Sequence, residues 1–330
     1  MNRRQLLKTG VLAGGMYAFP GAMAFGGNIP EKGVVENVGH IKVRLGELEI
    51  FLFSDGHITL KNPQPVFAPG VDPEEVRKEL KRVFLKEDRL EGAINVMVIK
   101  TGERLILIDT GSGYHFGETG GRLLHNLKNT GIAPRDVTDV FITHAHVDHI
   151  GGIVDNEGKT VYPDAKYYIA QKEYDFWTSE KPDFSKSKNP ENPGESVKLA
   201  KQVFRAIKNK LIKFDYGETL FSCITPELAE GHTPGHTVFT VFSGDKNIKH
   251  IVDTVHTPLL VARPEWGTQW DVDFIQGVKA RKLILEDNYR KGTLVMTTHL
   301  PWPGLGYIGK NGNDYQWVPF PYFTPNEIIL

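Results

Sequence analysis

Cysteine is nearly absent: Cys223 is the one residue of its kind in 330. A lone cysteine excludes an internal disulfide, whatever the redox state of the compartment. Net charge is nearly absent too, with 39 Lys and Arg against 40 Asp and Glu. That balance lacks the basic footprint that nucleic acid or an anionic membrane surface requires. Past the first residues, no apolar segment approaches the roughly 20 residues of a membrane-spanning helix. A Gly-x-Ser-x-Gly elbow is missing, so nothing supports a serine nucleophile of that kind. An apolar share of 40 % and a charged share of 24 % are ordinary values for a soluble globular protein.

The first residues stand apart. Asn2-Arg3-Arg4-Gln5-Leu6-Leu7-Lys8 precedes a small, mildly apolar stretch from Thr9 to Pro20, then Ala22-Met23-Ala24. A charged region, a short apolar region and a small-x-small cleavage site are the parts of an export signal. The arginine pair resembles the twin-arginine type, which carries folded proteins. The expected organisation is a signal over residues 1–24, a linker over 25–39 and a single domain over 40–330. The expected destination is periplasmic or secreted.

Within the domain, Ile41–Leu45 and Leu48–Ser54 read as a strand pair, and Asp72 with Pro73 opens a helix running to about Phe84. Ala93–Lys100 and Arg104–Asp109 form a hairpin around Thr101-Gly102-Glu103. Val140-Phe141-Ile142 is a buried strand, and Lys166–Ala170 a strand leading into a helix over Gln171–Thr178. From Glu195 to Leu211, Val197, Ala200, Val203, Phe204, Ile207 and Leu211 recur at helical spacing. Strands follow at Leu220–Ile224, Thr237–Ser243 and Ile248–Val252, then a helix from about Asp273 to Asp287 and a strand at Leu294–Thr297. Two halves that each supply strands and covering helices imply an α/β sandwich of two sheets with helices outside.

The chemistry concentrates in Thr143-His144-Ala145-His146-Val147-Asp148-His149, directly after a buried strand. Six residues hold four imidazole or carboxylate groups, the ligand types of zinc and its neighbours. One tetrahedral ion cannot take so many ligands from so short a stretch, so two ions are expected side by side. His144 and His146 would serve one, Asp148 and His149 the other. Further ligands must come from other strand ends. His236, Asp253 and His299 each sit where a strand gives way to a loop. His232 competes with His236, the bland reading of His232 being a turn histidine bonded to backbone. Asp245 competes with Asp253 but falls in a hairpin turn, where Asp is favoured locally.

The order His-x-His-x-Asp-His, then Gly231-His232-Thr233-Pro234-Gly235-His236, a strand-terminal Asp253 and a late His299 resembles the metallo-β-lactamase superfamily. Asp109-Thr110-Gly111-Ser112-Gly113, Asp253-Thr254-Val255-His256 and His299-Leu300-Pro301-Trp302 look like the branch of acyl-homoserine-lactone lactonases and methyl parathion hydrolase-like enzymes. The resemblance implies an αββα sandwich of two mixed β-sheets holding two divalent ions, zinc by default. It places His144, His146 and His236 on the first ion, Asp148, His149 and His299 on the second, and Asp253 between them. Asp109 would support the ligands from behind. Val252 is a departure, since this branch commonly has Gly before the bridging Asp. The implied activity is hydrolysis of a small lactone or ester, best an N-acyl homoserine lactone (quorum quenching), by a hydroxide shared between the ions. Asp148 would pass on a proton and Asp253 would hold the bridge. A phosphotriesterase is the alternative, and a non-enzymatic metal-binding protein a third reading. Phe116, Trp177 and Trp302 are the expected pocket walls. A homodimer is compatible with the sequence, and no nucleic-acid partner is expected.

Overall fold

The computed structural model describes residues 39–189, 191–322 and 327–330. The expected signal over 1–24 and all of the linker but Gly39 lie outside them. The chain begins with a meander: β1 (His40–Leu45), β2 (Leu48–Lys61), β3 (Arg89–Thr101) and β4 (Arg104–Ile108) pair antiparallel in sequence order. β2 continues through Asp55-Gly56-His57, past the end expected for it at Ser54. A bulge at Ser54/Gly56 absorbs the irregularity and keeps β2 on β3 as far as Lys61. Between them lie the short helix α1 (Pro63–Phe67) and α2 (Pro73–Arg82), the latter started by Asp72, whose carboxylate accepts from the Glu74 and Glu75 amides.

The sheet then turns parallel. α3 (Leu123–Asn129) crosses to β5 (Asp139–Ile142), which is buried on both faces. That burial is why its sequence runs apolar without alternation. α4 (Val147–Ile150) leads toward β6 (Lys166–Ala170), and α5 (Gln171–Thr178) with α6 (Gly194–Ile207) carries the chain to β7 (Leu211–Phe214). α6 stops at Ile207, so Leu211 belongs to a strand instead of the expected helix. The second sheet holds β8 (Ile224–Leu228), β9 (Thr237–Ser243), β10 (Lys246–His250), β11 (Val295–Met296), β12 (Leu305–Asn311) and β13 (Asp314–Pro319). Helices α7 (Pro258–Ala262) and α8 (Phe274–Lys291) lie between β10 and β11, and β14 (Glu327–Ile329) returns to pair with β1. The strand expected at Leu220–Ile224 begins only at Ile224, because Phe221 and Ser222 turn with φ of 54° and 61°.

Three apolar clusters define the layers. Ile50, Ile99 and Phe141 of the first sheet meet Phe239, Val241, Ile248 and Met296 of the second. Val98, Val140 and Ile169 pack outward against Leu127 of α3 and Ala200, Val203, Phe204 and Ile207 of α6. On the far side, Val295 and Ile308 cover Leu259 and Leu260 of α7, Leu285 of α8 and Val76 and Leu80 of α2. Two mixed sheets therefore face each other with helices on both outsides, as the element order implied. The ends of β5, β10 and β11 and the loop entering β9 open toward one edge of this sandwich.

Candidate metal centre

Each candidate side chain sits just past a strand end, where the strand fixes the backbone and the loop frees the side chain. β5 delivers Thr143 to His149. The β8–β9 loop delivers His232 and His236. A single helical turn over Val252–Thr254, beyond the end of β10, delivers Asp253, and the loop after β11 delivers His299. Four ligand atoms, one each from His144, His146, His232 and Asp253, lie within 4.8 Å of one another. A second such group is Asp148, His149, Asp253 and His299. Asp253 belongs to both, and so stands between them.

Nitrogens and carboxylate oxygens of the two groups converge to within about hydrogen-bonding distance of one another. His146 Nδ1 is 2.9 Å from His232 Nε2 and 3.2 Å from His144 Nε2. His149 Nε2 is 3.3 Å from Asp253 Oδ1, and both atoms are buried with no hydrogen-bond partner among the described residues. His299 Nε2 lies 3.0 Å from Asp253 Oδ2 and 3.2 Å from Asp148 Oδ2. Burial pushes the His144 and His146 imidazoles well below their ordinary range, which leaves them neutral with lone pairs to offer. His299 goes the other way: burial opposes its charge, but Asp253 and Asp148 together raise it to about 10. His149 is likewise held well above its usual value, against burial, by Asp253, Asp148 and Asp109. Nitrogen and carboxylate donors in two converging groups, with orphaned atoms between them, fit two divalent ions.

One assignment is corrected by this geometry: His232, not His236, joins His144 and His146. Both ring nitrogens of His236 are taken up, Nδ1 by the Ala229 carbonyl at 3.1 Å and Nε2 by the Asp253 amide at 3.2 Å. His236 has no lone pair left for an ion, and instead braces the turn that carries Asp253. His232 spends Nδ1 on the Asp271 carboxylate at 3.1 Å, and its Nε2 faces only other members of the centre, His146 Nδ1 at 2.9 Å and Asp253 Oδ2 at 3.4 Å. Gly231 makes this approach feasible. It adopts a φ of 132°, and a Cβ there would stand 2.1 Å from the Gly277 amide.

Behind the ligands lies a shell of buried acids. Asp109 accepts from the Thr143 amide and hydroxyl at 2.8 and 2.7 Å and holds His149 Nδ1 at 2.7 Å, the supporting place expected for it. Asp271 is paired at 3.0 Å with Arg281, whose Nε donates to the Thr254 carbonyl. Glu173 is fully buried and accepts four bonds, from the Ala145 amide, Trp177 Nε1, Thr233 Oγ1 and the Gly235 amide. Ala145 lies between His144 and His146, and Thr233 follows His232, so one carboxylate ties the two ligand loops together. Sequence reasoning missed Glu173 and Asp271. Their signal was slight, an acid one turn into a helix and another just before one.

Val252, the departure noted before Asp253, is buried with a φ of 47°. A β-branched residue in that region is strained, and the strain sits at the turn that aims Asp253. His256 has no partner at ligand spacing in the sequence. It lies in neither ligand group, yet its Nε2 is 3.3 Å from Asp253 Oδ2 and its ring stacks on His299 at 5.0 Å.

Above the ligands opens a cavity of about 480 Å³, within the range of small-molecule sites. Phe116 and Trp177 line it as expected, together with Ile58, Leu60, Phe67 and Trp270. Trp302 does not. It packs, half-buried, against the apolar layer between the sheets, because the segment after His299 doubles back, the Gly304 amide on the Pro301 carbonyl and the Thr297 amide on the Gly304 carbonyl.

The sequence profile of the metallo-beta-lactamase superfamily matches residues 89–274, more than half of the chain. The chain belongs to the metallo-beta-lactamase superfamily. Among solved structures of this superfamily's fold, it is similar to AidC, a dizinc quorum-quenching lactonase in complex with a product. The sequences are 37% identical, with a TM-score of 0.82, covering 87% of this chain and 99% of AidC. It is also similar to the hydrolase AbOPH, described as in the beta lactamase superfamily, at 27% identity and a TM-score of 0.77 over 87% of this chain and 99% of that one. A metallo-beta-lactamase domain-containing protein 1 from Xenopus laevis is 33% identical over 76 residues, 23% of this chain. That match spans about a quarter (27%) of the Xenopus protein's length.

Proposed function

We propose that this protein is a dinuclear metallohydrolase that opens N-acyl homoserine lactones, with zinc in both positions. The supporting observation is the pair of ligand groups sharing Asp253 at the floor of an apolar-walled cavity. The likeness to a dizinc lactonase at 37% identity over most of both chains favours the lactone as substrate. When bound, the two ions supply a Lewis acid and an acidified water at neutral pH. His144, His146 and His232 would hold one ion, Asp148, His149 and His299 would hold the other, and Asp253 would serve both. Asp148, at the cavity wall, is placed to accept the proton of the attacking water and return it to the ring oxygen as it leaves. The walls of Phe116 and Trp177 exclude water and seat the acyl chain. The leader read from Arg3-Arg4 would place the enzyme in the periplasm or outside the cell.

A phosphotriesterase is the second reading, favoured by the aromatic walls, which would seat an aryl leaving group equally well. A kinetic panel of lactones, aryl esters and phosphotriesters separates the two. The expected result is kcat/KM for an acyl homoserine lactone about a hundredfold above that for an aryl phosphotriester, on the order of 2.7 kcal/mol in transition-state binding. A phosphotriester at the head of the panel would reverse the ranking.

A further inference from the structure

The cavity has an unusual charge pattern. Among the described residues, no lysine or arginine lines it, and its carboxylates are Asp148, Asp253 and Glu191. The two carboxylates at the floor are faced by imidazoles, whereas Glu191 stands exposed at the mouth with no cation beside it in the lining. The remainder of the rim is neutral and polar, with Ser187, Asn189, Asn192, Ser196 and Gln269. Two lysines flank these rim residues in the chain, and both are turned elsewhere. Lys186 is paired with Asp273 at 2.8 Å. Lys188 points to the Pro69 carbonyl at 3.4 Å and lies 3.8 Å over the Phe274 ring.

We propose that this cavity is a charge filter: it takes substrates whose body beyond the scissile carbonyl is uncharged, and rejects those carrying a carboxylate there. The proposal rests on the lactone or ester hydrolase reading of the same site. An anionic group on the acyl side would leave water for the apolar wall of Phe116 and Trp177, with no lysine or arginine in the lining to meet it. A buried charge without a partner is strongly disfavoured. Glu191 adds repulsion at the entrance, weaker because it is solvated. Neutral amides and ester oxygens, by contrast, find donors and acceptors along the asparagine and serine rim.

The test is a matched series on the metal-loaded full chain. It compares N-hexanoyl homoserine lactone, the same lactone with a carboxylate at the end of its six-carbon chain, and the methyl ester of that carboxylate as a neutral size control. The same three acyl groups are also attached to an aryl ester. The filter predicts kcat/KM lower by about a hundredfold for the carboxylate in each series, with the methyl ester within about fivefold of the parent. Glu191→Lys should recover part of the loss, about threefold to tenfold at low salt, and less at 0.5 M salt. Equal turnover of charged and neutral members in either series overturns the filter. Turnover of the aryl esters alone overturns the lactone reading, and the charge comparison is then read on the esters.

Discussion

Replacing Glu173 by glutamine tests whether one buried carboxylate holds the two ligand loops in register. Its Oε1 accepts from the Ala145 amide at 2.9 Å and Trp177 Nε1 at 2.7 Å; its Oε2 accepts from Thr233 Oγ1 at 2.7 Å and the Gly235 amide at 2.9 Å. Glutamine keeps the shape but offers one oxygen and one NH2. The Thr233 hydroxyl can rotate to accept, so the favoured orientation puts the NH2 toward Thr233 and Gly235. The Gly235 amide is then left facing a donor in a buried site. An unsatisfied buried group costs about 1–3 kcal/mol, and turning three remaining charge-assisted bonds into neutral ones adds about 1–2 kcal/mol. The expected loss is about 3 kcal/mol, a large fraction of an ordinary domain's stability. It should fall on the loops carrying His146 and His232, so the ion they hold should exchange faster. Denaturant unfolding of the metal-loaded protein, with elemental analysis after gel filtration, reads both quantities. Unchanged stability within 0.5 kcal/mol, roughly the scatter of neutral surface changes, with both ions retained, would refute the clamp.

Val252 with φ of 47° should make Val252→Gly more stable than Val252→Ala by about 1 kcal/mol, since only glycine relieves the backbone; thermal unfolding in which alanine is the more stable would contradict the strain. The second ligand group should bind metal more tightly as pH rises. Asp253 and Asp148 hold the His299 proton to about 10, and an entering ion must displace it. Competition with a chelator should show affinity climbing about tenfold per pH unit for each proton released, from pH 6.5 to 8.5. The gain ends once His299 is deprotonated in the free protein. A flat profile would mean that no imidazole proton leaves.

Patterns written in one stretch of chain were legible in the sequence. The His144–His149 cluster reads from spacing alone, because a buried strand and a tight helix must put those side chains on one side. β6, α5 and β9 (Lys166–Ala170, Gln171–Thr178, Thr237–Ser243) are bounded as their periodicity implies. What failed depends on contacts far apart in sequence. His232 and His236 share one turn and one residue type, both spend Nδ1 on a distant acceptor, and only the Asp253 amide, which donates to His236 Nε2, decides which ring turns a nitrogen to the centre. Trp302 follows a ligand by three residues, but the chain reverses there and packs it, half-buried, against the layer between the sheets. β7 was absorbed into the preceding helix because Leu211 continues the helical spacing; pairing with β6 overrides that local preference. Glu173 carried no motif, since a carboxylate that collects four donors from three segments leaves no local trace.

Metal-dependent turnover is the most direct measurement of the central claim. The protein is stripped with a chelator and titrated with zinc while hydrolysis of N-hexanoyl homoserine lactone is followed, alongside His232→Ala and His236→Ala. Two ions per chain should be needed for full turnover. His232→Ala should lose one equivalent and most activity, while His236→Ala keeps two equivalents and loses stability instead. Full activity at one equivalent, or loss of an ion from His236→Ala but not from His232→Ala, would contradict the site as described.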